Sequence, residues 1–539
     1  MRFLERLFSV KNNDKRDHKV VTLLGIQFKF KNDKKIREEE IKKIKIFNEY
    51  LSKRKIFYHN IVNDIINDVK PESINLKQAR NKILFNNYKN LYSRLDPLGS
   101  ILIKDGEFYR GIYKHKCDYF IDLWNKGIIQ SLIRHNIIVD IKISDYFTDE
   151  FPIILKTKKI SMVSPYFWTY SMFKAVSINS LILLKVLNHF GYSLIDGHSG
   201  NTRFDNNKAK WIDIGSIIPT TDNKNTINEI LVGQIVQLCM MSFPSKFYYA
   251  HRLYSELNNT LCIDVPFINS IEYNFIINYF INNCKNMHQD LAYKLLINQE
   301  LEPEYIDVLF NYTKSDTIWT DYSRWDMSDI NNFSCNNRFY NTINIIKKFA
   351  PNIQSSIDIA GNSGFFSALL KKKLNLKNII SLDYCEDAIE YGIKKCYENN
   401  INVNFGLLNF MIPTHTPSLK DLKSDLVIAL AITHHLILTQ GYNIDSIFNM
   451  ISKYTNKYAC IEFCPLGMYS GQDFLPQVPE WYTQDWFEEH MKKFFDIKNV
   501  SITNKVKIEN KEYSHRILYI CELKTSETIA AAERERERE

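Results

Sequence analysis

Residues 356–364 read Ser-Ile-Asp-Ile-Ala-Gly-Asn-Ser-Gly, and a second apolar run, Asn-Ile-Ile-Ser-Leu-Asp, closes at Asp383. An apolar strand ends at an acid, Asp358, enters a turn of small residues, Ala360, Gly361, Asn362 and Gly364, and opens into a helix-like stretch. An open α/β sheet holds a nucleoside in this way: small residues let the backbone approach the ligand, and an acid on the next strand takes the ribose hydroxyls. Asp383 is spaced for that second task, and Asn409, after a third strand, is placed to meet the base. A fourth run, 425–431, ends at Ala431 and is followed by Thr433, His434 and His435; a fifth ends at Glu462. Polar groups at the carboxyl ends of successive strands converge on one crevice, where such sheets bind ligands. Imidazole titrates near neutrality, so His434 and His435 are the candidate bases, with Glu462 as a base or a hydroxyl orienter. Adjacent residues point differently, so one of the two histidines is expected to face the substrate.

A second constellation lies upstream. Asp196 is followed by His198 and Asn201, and then by Ile212-Asp213-Ile214-Gly215. Asp196 is placed to deprotonate a hydroxyl, while Asn201 and Asp213 could hold Mg²⁺ against the phosphates of ATP. No glycine-rich loop precedes them; Arg110 or Lys114 would have to contact phosphate, and Arg does not substitute for Lys there.

The elements that must position these groups follow from periodicity. Strands are expected near 356–360, 379–383, 402–406, 425–431, 458–463 and 515–522, alternating with helices. That alternation predicts a mainly parallel sheet covered on both faces. Upstream, residues 101–110 predict a hairpin turning at Asp105-Gly106, and 172–190 a helix. Residues 20–30 predict a strand pair, and about 38–67 a charged helix. Phe3, Leu4, Leu7 and Phe8 would share one helical face, with Arg2, Arg6 and Lys11 free to meet anionic lipid. The chain thus divides into an appendage (1–80), a second unit (81–310), a third (311–525) and a low-complexity Glu-Arg tail (526–539).

Bulk properties narrow the classes. The chain has 539 residues, 45% hydrophobic and 24% charged, ordinary globular values. A net charge of +8 spread over 69 basic and 61 acidic residues is too dilute to argue for nucleic acid, and no basic stripe interleaved with aromatics occurs. Ten cysteines form no Cys-x-x-Cys pair, which suits a reducing cytosol, and no apolar run reaches about 18 residues.

Residues 358–367, 430–436 and 461–467, with Val478-Pro-Glu-Trp-Tyr-Thr483 behind them, resemble a class I S-adenosylmethionine-dependent methyltransferase. More narrowly, they resemble the bacterial family that includes nodulation host-specificity methyltransferases. Of the usual Asp-x-Gly-x-Gly-x-Gly loop only the last glycine is kept in register, at Gly364. The Asp196, His198, Asn201 and Asp213 set resembles the catalytic loop and metal motif of aminoglycoside-phosphotransferase-like kinases. The segment 10–29 is similar to one on bacterial capsule and lipopolysaccharide biosynthesis proteins.

The resemblances imply a Rossmann-like methyltransferase sheet preceded by an α+β kinase-like domain and a short appendage. S-adenosylmethionine would be held by Asp358, Ala360, Gly361, Asn362, Gly364, Asp383, Asn409 and Ala431. Asp196 would be a catalytic base, with Asn201 and Asp213 ligating Mg²⁺ beside ATP. The implied acceptor is a glycan or lipid-linked glycan, handled in the cytoplasm or at the cytoplasmic face of the inner membrane beside polysaccharide assembly proteins. Two other readings stand: a small-molecule or lipo-oligosaccharide methyltransferase with an inert first module, and a non-catalytic assembly scaffold. Trp481 and Tyr482 could offer a sugar ring a flat face.

Overall fold

The computed structural model describes residues 8–12, 18–23, 26–31, 33–74, 81–82, 96–160, 163–220, 224–242, 270–284, 286–311, 319–320, 322, 324–331, 338–413 and 416–524. Its C-terminal part is built on a seven-stranded sheet. From one edge the strands are Asn404–Leu407, Asn378–Asp383, Ser355–Ile359, Ser424–Ala429, Thr455–Phe463, Lys511–Leu523 and Phe495–Ile508. The first five run parallel, and the last two form an antiparallel hairpin along Thr455–Phe463. Side chains alternate between the faces. Val427, Ala429, Ala459, Ile461 and Tyr519 enter one core, and Leu426, Ile428, Cys460, Leu518 and Ile520 another. Strands buried on both faces read as continuous apolar runs, which is why these runs are visible in the sequence. The strand Phe495–Ile508 was not foreseen: its exposure alternates along its length, and its lysines mask the pattern.

Strand order reverses at Ser355–Ile359: the chain steps from it to Asn378–Asp383 and Asn404–Leu407 on one side, then crosses to Ser424–Ala429 on the other. The turns after Ser355–Ile359 and Ser424–Ala429 therefore part to opposite faces and open a crevice at the carboxyl ends. Helices Phe365–Lys373 and Glu386–Glu398 follow the first two strands. Gly392 lets the second of these pack against the first turn: a β-carbon there would lie 2.4 Å from the Ser363 carbonyl oxygen and 2.8 Å from the Phe405 ring.

Upstream, a four-stranded antiparallel sheet holds Gly99–Lys104, Glu107–Ile112, Ile153–Thr157 and Ile141–Ile143 in that order. Its first hairpin turns at Asp105 and Gly106, both with positive φ, as a two-residue Asp-Gly loop requires. A second hairpin, Thr202–Asp205 with Lys208–Trp211, and helix Tyr170–His189 complete the part that carries Asp196, Asn201 and Asp213. That helix is long and apolar enough to cross a membrane, yet most of it is buried inside the protein. Near the N-terminus, Phe8–Asn12 pairs with His18–Leu23, which pairs with Ile26–Lys31, and a long helix spans Asp33–Asn67. Phe8 and Lys11 therefore lie on a paired strand instead of the expected helical face; residues 1–7, and the tail 526–539, lie outside the described residues.

The upstream and C-terminal parts share one apolar cluster. Phe167, Trp168, Met172 and Phe173 join Ile359, Leu382 and Leu408 of the sheet side. The amino end of helix Tyr170–His189 meets helix Glu386–Glu398 directly. Glu386 accepts from the Tyr170 amide at 2.7 Å and Glu390 from the Ser171 amide at 2.9 Å. Carboxylates are favoured at a helix amino terminus, where N–H groups lack intrahelical partners. Burial nevertheless pushes both carboxyls up, Glu386 furthest.

Gly392→Ala is expected to destabilise the protein by about 1–3 kcal/mol through overpacking. Urea denaturation should show a lower midpoint at an unchanged slope.

Candidate active site

The turn after Ser355–Ile359 is shaped by left-handed backbone. Ala360, Asn362 and Gly364 have φ of 55°, 49° and 71°. These are the three positions where an Asp-x-Gly-x-Gly-x-Gly loop carries glycine, and here Ala and Asn adopt left-handed backbone at two of them. For Ala360 the left-handed region costs about 1–2 kcal/mol; Asn tolerates it better. Ala431, at the end of the fourth strand, is also left-handed, with φ of 53°. Strained residues of this kind persist where the surroundings over-determine them, and they cluster at ligand sites.

Asp383 ties the turn to the next strand and helix. It accepts the Asn362 amide on one oxygen and the Cys385 amide on the other, both at 2.8 Å. The Tyr384 amide donates to it as well, so of about four lone-pair sites one is left for a hydroxyl. Asp358 accepts from the Ser367 hydroxyl at 3.0 Å. Burial pushes the Asp358 carboxyl up to about 7, with the Asp383 charge adding to it, and pushes Asp383 up to about 6 against its amide donors. Asn362 donates its side-chain amide to the Trp319 carbonyl, while its own side-chain oxygen and the Ser381 hydroxyl are buried without a partner among the described residues. Asn409 spends its side-chain oxygen on the Met411 amide. Its remaining group is the side-chain NH₂.

At the other lip, His434 and His435 open a helical turn with their rings 4.2 Å apart and tilted by 40°. They do not diverge as expected, because the turn stacks them together. Trp319 meets His435 edge-on at 5.2 Å. Burial pushes the His434 imidazole down to about 3, helped by His435, Arg516, His515 and Arg338, and its Nδ1 is buried without a partner among the described residues. His435 is lowered too, by burial and by Arg516. Such rings stay neutral at pH 7 but are weak proton acceptors. Glu462 is nearly fully buried, and its Oε2 accepts from Arg516 at 2.6 Å, from the Ala431 amide at 2.9 Å and from Arg338 at 3.5 Å. Those donors give Glu462 a positioning part in place of the base role considered for it. Trp481 is half exposed, whereas Tyr482 is buried and offers no face.

Arg338, Arg516 and His515 were not anticipated. Arg338 opens a helix following residues without any pattern, and Arg516 lies midway along the strand Lys511–Leu523, directly before its buried stretch. No local spacing links either to Glu462.

In the upstream part, register brings the second set together. Thr202 pairs with Trp211, and the Ile212 amide donates to the Asn201 carbonyl at 2.8 Å, so Asn201 and Asp213 are near neighbours. Asn201 donates its side-chain amide to the Asp196 carbonyl at 3.3 Å, and Asp196 pairs with His198 at 3.0 Å. Arg110 does not stand free for phosphate. It is buried between Asp96 and Asp213, 2.6 Å from Asp213 Oδ1, which also accepts the Gly215 amide. Asp213 Oδ2 and Asn201 Oδ1 remain, two oxygens that fit Mg²⁺ only when phosphate oxygens and water complete the shell. Among the described residues no three His, Cys, Asp or Glu side chains cluster as a metal site.

No protein-family model matches the chain, and no curated protein matches its sequence. Solved structures do match in fold over about a third of it. An S-adenosylmethionine-dependent methyltransferase from Clostridium acetobutylicum is 12% identical, covering 37% of this chain and 97% of its own, with a TM-score of 0.27. The PH0226 protein of Pyrococcus horikoshii is 16% identical, covering 38% and 99%, with a TM-score of 0.29. WbdD, crystallised with a kinase inhibitor, is 18% identical, covering 35% and 41%, with a TM-score of 0.25.

The raised carboxyls set a pH dependence. In the fold Asp358 and Asp383 keep protons that an unfolded Asp releases near pH 3.9. Their contribution to stability therefore falls as the pH climbs from about 4 towards 7. Thermal melts across that interval should show a smaller loss for Asp383→Asn than for the parent; parallel losses would contradict the assignment.

Proposed function

We propose that the C-terminal part is an S-adenosylmethionine-dependent O-methyltransferase. The observation that carries this reading is the turn 358–364, left-handed at all three glycine positions and tied by its Asn362 amide to Asp383. The orphaned Asn362 oxygen and the lone-pair site that Asp383 keeps fit a polar nucleoside. In this reading Asp383 takes the ribose hydroxyls, the 360–364 backbone approaches the amino-acid portion, and the Asn409 side-chain NH₂ faces the base. Bound there, the cofactor supplies a methyl group activated on a sulfonium. The chain's task is then to place an acceptor oxygen in line with it and exclude water, and positioning of this kind supplies much of the barrier reduction. The acceptor we propose is a bacterial surface polysaccharide, methylated on a sugar oxygen or a terminal phosphate, with Trp481 as a stacking face. This acceptor rests on the sequence resemblances above.

A second activity, phosphoryl transfer by the upstream part, is favoured by one observation. The Asn201 amide is anchored on the Asp196 carbonyl, which leaves Asn201 Oδ1 and Asp213 Oδ2 for a phosphate-bound Mg²⁺. Asp196 would then accept the hydroxyl proton, and the methyltransferase would cap the phosphate made. Arg110 weighs against it by occupying one Asp213 oxygen; the alternative is an inert module that binds substrate.

Calorimetry with S-adenosylhomocysteine tests the main reading. The parent chain should bind, and Asp383→Ala should weaken binding by about 10- to 100-fold, the worth of lost charge-assisted hydrogen bonds. No binding by the parent would reject it. Incubation with acceptor glycan, labelled S-adenosylmethionine and ATP tests the sequence of steps: methyl incorporation that ignores ATP rejects the tandem order.

A further inference from the structure

At the lip opposite the nucleoside turn, positive charge outnumbers negative. The Arg338 and Arg516 side chains are 25% and 14% exposed, and both point an Nη1 at one oxygen of Glu462, which is 2% exposed. One carboxylate serves two guanidinium groups, so a net positive charge is left at a mostly buried site. Neither guanidinium makes a further hydrogen bond to oxygen among the described residues; Arg516 reaches only the Cys464 sulfur, at 3.6 Å, and Arg338 stacks on the Phe339 ring. A guanidinium carries five N–H donors, and most of these are therefore uncommitted. His434 is buried beside them with Nδ1 unpartnered among the described residues, and His515 adjoins Arg516 in sequence and packs on Tyr469 at 5.2 Å. Buried uncompensated charge is costly unless a counter-charge arrives.

We propose that Arg338 and Arg516, bracketing Glu462 beside His434, form an oxyanion subsite for the acceptor. The oxygen methylated here is then a carboxylate or phosphate oxygen, already negative when it docks. This rests on the methyltransferase reading and narrows its substrate class. It also accounts for the missing base. Glu462 is held by its donors, and the histidines are depressed by burial first and by the same cations that would attract an anion second. A neutral hydroxyl would need its proton removed; an oxyanion does not. One of its lone pairs forms the new O–C bond, the electrons of the S–C bond stay on sulfur, and the two opposite charges cancel with no proton moved.

The test uses the full chain saturated with S-adenosylhomocysteine, with histidine imidazole NMR resonances as the readout. Inorganic phosphate, glucuronate and neutral glucose are titrated separately. A saturable shift of the His434, His435 or His515 signals with phosphate or glucuronate, and none with glucose, is the expected result. Whichever anion binds more tightly identifies the acceptor group. Arg516→Gln and Arg338→Gln should each weaken the binding at least about tenfold, the loss of one charge-assisted pair. Arg516→Lys, which keeps the charge beside Glu462, guards against misfolding: it should melt like the parent and bind within a few-fold of it. No saturable shift with either anion, equal shifts with glucose, or undiminished binding in both Gln variants would overturn the proposal. Calorimetry on the same samples separates the two readings. Cofactor-product binding without anion binding sinks the subsite alone, and anion binding without cofactor-product binding sinks the methyltransferase.

Discussion

The C-terminal half turns on the Asp383 carboxylate. Its two oxygens accept amides from the first turn and from the start of the next helix, so one side chain fixes the geometry of both walls of the crevice. Each such bond to a charged acceptor is worth about 1.5–3 kcal/mol, enough to offset the left-handed backbone at Ala360 and Asn362. The cost is burial: it pushes the Asp383 carboxyl upward, and it pushes Asp358 upward with the Asp383 charge adding to it. Stability is thus given up at neutral pH to hold a polar group where a ligand hydroxyl can meet it.

The opposite lip follows the same economy with the sign reversed. Glu462 ends the fifth strand and gathers Arg516 from the hairpin, Arg338 from the helix before the sheet, and the amide of Ala431 from the fourth strand. Three separate segments are locked by one oxygen. Two cations around one anion leave this lip electropositive, and burial together with those cations keeps the histidines beside it neutral. The crevice therefore has a carboxylate wall at one end and a guanidinium wall at the other.

The upstream part is joined to this sheet by a shared apolar cluster and by Glu386 and Glu390 at the amino end of helix Tyr170–His189. Glu386 lies three residues beyond Asp383, so the junction between the two parts abuts the Asp383 wall of the crevice. The other end of the same helix leads into Tyr192–Leu194 and then Asp196. The upstream loop and the crevice thus adjoin opposite ends of one helix.

The parallel strands, the Asp-Gly hairpin and the core helix were legible in the sequence, because buried strands and helices impose periods of two and 3.6 on apolar residues. The turn 358–364 and Asp383 were legible for a related reason: their partners are set by a strand–turn–helix unit that is local in the chain. What only the tertiary structure decided was the company each polar group keeps. Arg338 and Arg516 reach Glu462 across 124 and 54 residues, and Arg110 reaches Asp213 across 103. Those pairings turn a candidate base into an anchor and a candidate phosphate contact into a buried ion pair. Periodicity reports which face a residue occupies; the charge that meets it there depends on segments brought together only by packing.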